Sequence, residues 1–159
     1  MVTDTTILVF FLFPLSLANP EVQTMFGQVK GISYTLRSGR SANIFYGIPY
    51  AKPPVGELRF EKPLVPEPWS GTRDCTQPAA GCSALLKTAE MARTSEDCLT
   101  LDIIAPAEKP PRPLPVLFHI HGGGYEMGTT AIFNLTSIAD LYIDKGVIIV
   151  FIQYRLGMF

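Results

Sequence analysis

A chain of 159 residues is long enough for one modest domain, and its 47% apolar residues are enough for a core. The 13 Lys and Arg nearly balance the 14 Asp and Glu. This balance does not favour a nucleic-acid partner or an anionic membrane surface.

The N-terminal segment has the pattern of a secretory signal peptide. Ile7–Leu17 is an apolar run too short to span a bilayer, which takes about 20 residues. Ser16-Leu17-Ala18 follows the small-x-small pattern of a cleavage site. Asp4 stands where Lys or Arg is usual, so a buried strand or an uncleaved anchor is the alternative. We expect residues 1–18 to be a signal peptide and residues 19–159 to be secreted, with no membrane span.

The cysteine count and one sequon fit the same compartment. Three cysteines suit an oxidising environment with one disulfide and one thiol left over. Asn134-Leu135-Thr136 is the only N-glycosylation sequon, and it has meaning only if the chain enters the secretory route. We therefore expect a glycan on Asn134.

The first half of the chain predicts a hairpin followed by irregular structure. Ile32–Arg37 and Ala42–Tyr46 alternate apolar and polar residues around the turn Ser38–Arg40, which predicts a β-hairpin. The stretch from Gly47 to Trp69 is dense in Pro and Gly and predicts an ordered surface loop without regular structure.

The middle of the chain predicts a weak helix, a strand and a stiff connection. Leu85–Ala92 has weak helical character, and Cys98–Ile104 alternates like a strand. The segment Pro106–Pro115 contains five prolines. Alone, such a segment could be a polyproline II ligand for an aromatic groove, but we favour a stiff connection between strands.

The last third of the chain predicts a βαβ unit. Val116–Ile120 and Val147–Ile152 are short, continuously apolar and β-branched, as are strands buried on both faces of a parallel sheet. Between them, Thr136–Lys145 predicts a helix that ends at Gly146. A helix between two parallel strands forms a crossover, so the fold class is α/β.

Three consecutive glycines follow the first of these strands, in the run His121–Tyr125. Without side chains to block a ligand, their N–H groups can converge on a developing negative charge, as in an oxyanion hole. A Gly-x-Ser-x-Gly nucleophile turn is then expected further along, and the sequence up to Phe159 contains none. His119 and His121 could form a His-x-His metal pair, but no third ligand presents itself and we favour a packed strand.

Four segments resemble motifs of the type B carboxylesterases, the family of carboxylesterases, cholinesterases and neuroligins. They occur in the family's order and cover nearly the whole chain after the signal. The opening signature, the second signature, the oxyanion loop and the strand end before the nucleophile are matched by Phe45–Phe60, Glu96–Ile103, His121–Gly128 and Gln153–Gly157. The resemblance implies an incomplete α/β-hydrolase fold, with N-terminal antiparallel strands and the first parallel βαβ crossover. It also implies an N-terminal fragment or a truncated gene product.

The resemblance implies a role for several residues. Gly123 and Gly124 match the family's two oxyanion donors of this loop. Cys82 and Cys98 match its first disulfide, which leaves Cys75 as the odd thiol.

Three charged residues match ion-pairing positions of the family. Arg59 and Glu96 match a buried structural ion pair. Arg155 matches an arginine whose acidic partner would lie past Phe159. No metal or cofactor is implied.

Two departures concern the subfamily. The segment between Cys82 and Cys98 has no aromatic residue, and the only tryptophan is Trp69. The cation–π platform with which cholinesterases bind choline is therefore missing, which argues against acetylcholine as substrate. Neuroligins usually break the glycine triplet, so the intact triplet favours an esterase.

We therefore expect a secreted serine esterase that hydrolyses small-molecule carboxylic esters, present here as its N-terminal part. The catalytic serine, histidine and acidic residue would come from sequence beyond this chain, so the isolated chain is predicted to be inactive. The alternatives are a neuroligin-like cell-surface adhesion module without catalysis and an inactive truncated remnant.

Overall fold

The computed structural model describes residues 19–84 and 93–159. The expected signal peptide and the expected weak helix 85–92 lie outside the described residues. The strands are β1 Glu21–Gln23, β2 Gln28–Lys30, β3 Ile32–Thr35, β4 Ser41–Pro49, β5 Thr72–Asp74, β6 Gly81–Cys82, β7 Thr94–Ser95, β8 Thr100–Pro106, β9 Val116–Ile120 and β10 Ile148–Ile152. The helix α1 spans Leu135–Tyr142, and 3₁₀ turns span Gly56–Leu58, Thr130–Ile132 and Ile143–Lys145.

The main sheet has five strands in the order β3-β4-β8-β10-β9. β3 and β4 form the predicted antiparallel hairpin, with Ile32 opposite Ile44 and Thr35 opposite Ser41. β4 pairs with β8 and β8 with β10 in antiparallel fashion, whereas β10 and β9 are parallel. The predicted mixed α/β architecture is confirmed, and it is consistent with part of an α/β-hydrolase fold.

Strand β4 continues further than the sequence predicts. The expected irregular stretch begins at Gly47, but β4 extends to Pro49 with a register shift between Phe45 and Ile48. Gly47 lies within this bulge at φ 65°, a left-handed conformation that glycine adopts readily. The bulge accommodates Gly47 within the strand, although the local composition predicts a loop at this residue.

Helix α1 forms the predicted crossover between β9 and β10. The Asn134 side chain caps it by accepting hydrogen bonds from two backbone N–H groups of the first turn. Leu135, Ala139 and Ile143 recur every four residues, so they share one face, and all three are buried in the cluster that includes sheet residues. Gly146 ends the segment in the left-handed conformation, as predicted.

Strand β9 does not have the burial that its apolar sequence predicts. It lies at the edge of the sheet, and Val116, Phe118 and Ile120 are 57%, 52% and 65% exposed. β10, with the same kind of sequence, is buried between β8 and β9. Within the described chain β9 does not have the predicted burial, because it has a neighbouring strand on one side only and the sheet face that carries these three side chains is left exposed.

Smaller elements surround the main sheet. β1, β2 and β5 form a second sheet, and β6 pairs with β7. A disulfide joins Cys82 at the end of β6 to Cys98 just before β8. Among residues 19–84 and 93–159, no helix is both long and apolar enough to cross a membrane.

Replacing both disulfide cysteines by alanine is expected to lower the free energy of unfolding by about 3 kcal/mol, because a crosslink over this span restricts the unfolded chain. The two cysteines are separated by 16 residues and are both buried. Urea unfolding measures the loss, with Cys75→Ala as the control because this thiol is buried but free. A double variant as stable as the control would contradict the prediction.

Candidate active site

The glycine loop (His121–Gly128) leaves the carboxyl end of β9, the end at which open α/β sheets bind ligands. Gly123 and Gly124 have φ angles of 126° and 62°, which side chains other than hydrogen disfavour. A Cβ added to Gly123 would lie 1.9 Å from the carbonyl oxygen of Met127. The backbone course of the loop therefore requires glycine at position 123.

The N–H groups of Gly123 and Gly124 are among the backbone donors of this loop that have no acceptor within the described chain. The Gly123 carbonyl, by contrast, accepts hydrogen bonds from the N–H groups of Glu126 and Met127 at 3.1 and 3.2 Å. Adjacent free N–H groups can stabilise negative charge on an oxygen atom. They border an open pocket of about 480 Å³, lined by Phe118, Ile120, His121, Gly122, Gly123, Gly124, Tyr125, Ile152 and Tyr154.

The buried His121 ring is held beside this loop. Its Nδ1 lies 2.9 Å from the Gly122 carbonyl oxygen, which can only accept, so Nδ1 carries the proton. The ring also stacks on Tyr154, with centroids 4.3 Å apart and an interplanar angle of 19°. These two contacts hold the ring against the start of the loop.

His119, the first histidine of the His-x-His pair, is packed among aromatic rings. The His119 ring meets Phe133 and Phe151 edge to face, at centroid distances of 4.9 and 5.2 Å. The two histidine rings therefore have different neighbours, and His119 contributes to the packing between β9 and β10.

A buried carboxylate lies at the centre of a polar network that sequence reasoning missed. Asp102 of β8 is 6% exposed and accepts hydrogen bonds from the Gly47 N–H and the Thr130 hydroxyl, both at 2.8 Å. Burial raises the pKa of Asp102, and these two hydrogen bonds offset part of the rise. Asp102 thereby joins the β4 bulge to the segment that follows the glycine loop.

Gln153 extends this network to the end of β10. Its Nε2 donates to the hydroxyls of Thr129 and Thr130 at 2.9 and 3.2 Å. Gln153 and Thr129 are buried. The only signal in the sequence is a polar residue directly after a buried apolar strand, because a side chain there needs a partner.

Arg59 and Glu96 form the ion pair that the resemblance implies, but it is not buried. Arg59 Nε and Nη2 reach the two Glu96 carboxylate oxygens at 2.6 and 2.5 Å. The side chains are 45% and 22% exposed, so the pair is only partly covered within the described chain. Arg155 Nη1 is buried and has no hydrogen-bond partner among the described residues.

Cys75 and Trp69 lie at a second hydrophobic cluster beside β4. Cys75 is buried in a cluster with Val29 and Phe45, and Trp69 packs against that cluster. Burial raises the pKa of the Cys75 thiol to about 11, so it stays protonated. Arg73 lies over the Trp69 ring at 4.8 Å.

Comparison with known proteins gives consistent matches. The model of the Carboxylesterase family matches residues 18–159. Gut esterase 1 of Caenorhabditis elegans is 45% identical over 144 residues, which cover 88% of this chain and 24% of the relative. The medium-chain fatty acyl-CoA hydrolase precursor of Anas platyrhynchos is 38% identical, over 87% of this chain and 27% of the relative. Pyrethroid hydrolase Ces2a of Mus musculus is 40% identical, over 89% and 27%. The chain thus spans about a quarter of the length of these relatives.

Asp102→Asn is expected to raise the melting temperature more at pH 7 than near pH 4. The pKa of Asp102 is raised by folding, so folding disfavours the ionised form, and stability is lost as pH rises through the unfolded and then the folded pKa. The asparagine oxygen can still accept from the Gly47 N–H. Tyr46 and Cys75 are the titratable groups that interact electrostatically with Asp102.

Thermal unfolding at the two pH values checks this, with the exposed Asp97→Asn as the charge-matched control. If Asp102→Asn destabilises the protein more at pH 7 than near pH 4, the two hydrogen bonds outweigh the cost of burying the charge, and the prediction is wrong.

Proposed function

The chain belongs to the carboxylesterase family, and from this membership we propose that it supplies the oxyanion loop of a serine hydrolase that cleaves small-molecule carboxylic esters. Gly123 and Gly124 would donate their N–H groups to the carbonyl oxygen of the substrate as it becomes negatively charged. The names of the matched relatives include an esterase and an acyl-CoA hydrolase. Both describe cleavage of an acyl bond, which passes through the same kind of oxyanion.

One observation carries this proposal: two adjacent N–H groups without an acceptor in the described chain, in a loop that its neighbours hold at the carboxyl end of a strand. Gly123 and Gly124 are exposed, so their N–H groups are accessible to a substrate oxygen. The turn itself is closed by the Gly123 carbonyl, which accepts from the N–H groups of Glu126 and Met127 and leaves the glycine donors unused. The preorganised donors match what acyl transfer requires.

We further propose that the described sheet is the first part of an α/β-hydrolase fold, in which residues 19–159 are the N-terminal portion of the domain. The apolar, exposed edge of β9 supports this, because such an edge is a template for another strand. In the complete protein, a strand followed by a Gly-x-Ser-x-Gly turn would bring the nucleophile beside the glycine loop. The general base and its acidic partner would come from the same additional sequence.

One observation distinguishes the esterase from the alternative, a neuroligin-like adhesion module without catalysis. The reading frame, determined past the codon for Phe159, separates the two functions: a Gly-x-Ser-x-Gly segment supports the esterase, and a replaced serine supports the module without catalysis. The intact glycine triplet favours the esterase.

Gly123→Ala is expected to lower the kcat of ester hydrolysis by at least about a hundredfold, the effect of losing one oxyanion donor. The new methyl group would collide with the Met127 carbonyl and displace the loop. Gly124→Ala is expected to have a smaller effect, because its Cβ would meet no atom within 4 Å and only the φ of 62° disfavours a side chain. The assay is hydrolysis of an aryl ester by the protein expressed from its complete reading frame.

Gly122→Ala is the matched control for these variants. A Cβ there meets no atom within 4 Å, and the φ angle of Gly122 lies outside the left-handed region. It should therefore cost far less activity. Equal losses in all three variants would indicate general damage to the loop, and full activity of Gly123→Ala would refute its assignment as a donor.

We also propose that the protein enters the secretory pathway, with residues 1–18 as the signal peptide and a glycan on Asn134. The Cys82–Cys98 disulfide supports an oxidising compartment. Asn134 is exposed, and its Oδ1 is the atom that accepts the capping hydrogen bonds from Thr136 and Ser137. Its Nδ2, to which a glycan would attach, makes no hydrogen bond within the described chain.

Asn134→Asp is expected to abolish an endoglycosidase-sensitive shift in gel mobility of the protein secreted from eukaryotic cells. Aspartate caps a helix about as well as asparagine, so the variant removes the glycan acceptor and keeps the cap. Thr136→Ser retains the sequon and should retain the shift. Identical mobility of the wild type and Asn134→Asp, before and after digestion, would contradict the assignment.

A further inference from the structure

Residues that follow β10 hold the glycine loop in place. β9 and β10 are parallel neighbours with Ile120 opposite Ile152, so the segments that follow them leave the sheet side by side. Tyr154 on the β10 side thereby comes next to His121 on the β9 side. The two residues lie 33 positions apart in the sequence.

Tyr154 makes three contacts with the glycine loop. Its hydroxyl donates a hydrogen bond to the His121 carbonyl oxygen. Its ring stacks on the His121 ring at 4.3 Å, and the Tyr125 ring meets it edge to face at 5.8 Å. The contacted residues, His121 and Tyr125, flank the three glycines on either side.

The C-terminal side of the loop is under conformational strain that these contacts oppose. Tyr125 has a φ of 62°, which is uncommon for a residue with a side chain. Besides the Tyr154 contact, the Gly157 N–H donates to the Tyr125 carbonyl oxygen at 2.5 Å. The glycine backbone is thus held at both ends by the segment 154–157, while its own N–H groups stay free.

We propose that Tyr154 is a positioning residue that sets the direction of the Gly123 and Gly124 N–H groups. It acts through His121 and Tyr125 and need not touch the substrate. The inference rests on the proposed function, because positioned donors matter only where an oxyanion forms. Burial raises the pKa of the Tyr154 hydroxyl, so it stays a donor over the neutral range.

Tyr154→Phe tests this proposal because it keeps the ring and removes only the hydroxyl. In the protein expressed from its complete reading frame, we expect kcat for an aryl ester to fall on the order of fivefold, the effect of one net hydrogen bond. KM should stay within about twofold, because the donors act on the transition state. Tyr154→Leu also loses the stacking and should lower kcat by about thirtyfold.

A trifluoromethyl ketone supplies a readout that a general loss of stability would not change. Its adduct with a catalytic serine carries an oxyanion, so its inhibition constant should rise in proportion to the loss of kcat/KM. Tyr34→Phe is the matched control, since it removes a tyrosine hydroxyl that donates to Asp140 at 3.0 Å, outside the glycine loop. It should leave the inhibition constant unchanged.

The outcomes separate the two proposals. An active wild type whose Tyr154→Phe and Tyr154→Leu variants keep the wild-type kcat and inhibition constant overturns the positioning role and leaves the esterase standing. The same holds if KM alone changes, or if Tyr34→Phe matches Tyr154→Phe in both readouts. A wild type that neither hydrolyses esters nor binds the ketone overturns the esterase and the positioning role together.

Discussion

The parallel pairing of β9 with β10 is the constraint on which the candidate site depends. Because Ile120 lies opposite Ile152, the glycine loop and the segment after β10 leave the sheet at the same end. The crossover helix makes this pairing possible, since parallel strands need a long connection. Its buried face, formed by Leu135, Ala139 and Ile143, contributes to the same cluster as the sheet. The hydrophobic packing of one helix thus determines where two backbone donors lie.

Polar contacts then fix the position of the glycine loop, which the apolar core sets only approximately. At one end of the glycine loop, Tyr154 contacts His121; beyond the other end, Gln153 holds Thr129 and Thr130. These consecutive residues of the β10 segment therefore fix both sides of the loop. The network extends to the buried Asp102, whose ionised form is costly in this environment. Fixing the loop in this way adds rigidity at some cost in stability.

Local sequence patterns predict one part of the candidate site and not the other. The position of Gly123 and Gly124 after a strand could be predicted because three consecutive glycines after an apolar strand indicate an oxyanion loop without reference to distant residues. The contacts of Asp102 with Gly47 could not, because the two residues are 55 positions apart and meet only through the pairing of β4 with β8. The contacts of Tyr154 with His121 could not be predicted for the same reason. An aromatic residue after a strand has no distinctive pattern until its neighbour is known.

The hairpin, the βαβ unit, the glycine loop and membership in the carboxylesterase family could all be predicted from the sequence, because period, turn residues and motifs are local properties of the chain. Which residues are buried and which hydrogen-bond partners meet depends on tertiary packing. β9 and β10 have the same apolar composition, yet one is exposed at an edge and the other lies between two strands. The Arg59–Glu96 pair forms as expected but remains partly exposed. Burial and long-range hydrogen bonds depend on what packs alongside, and residue type alone carries no record of that neighbour.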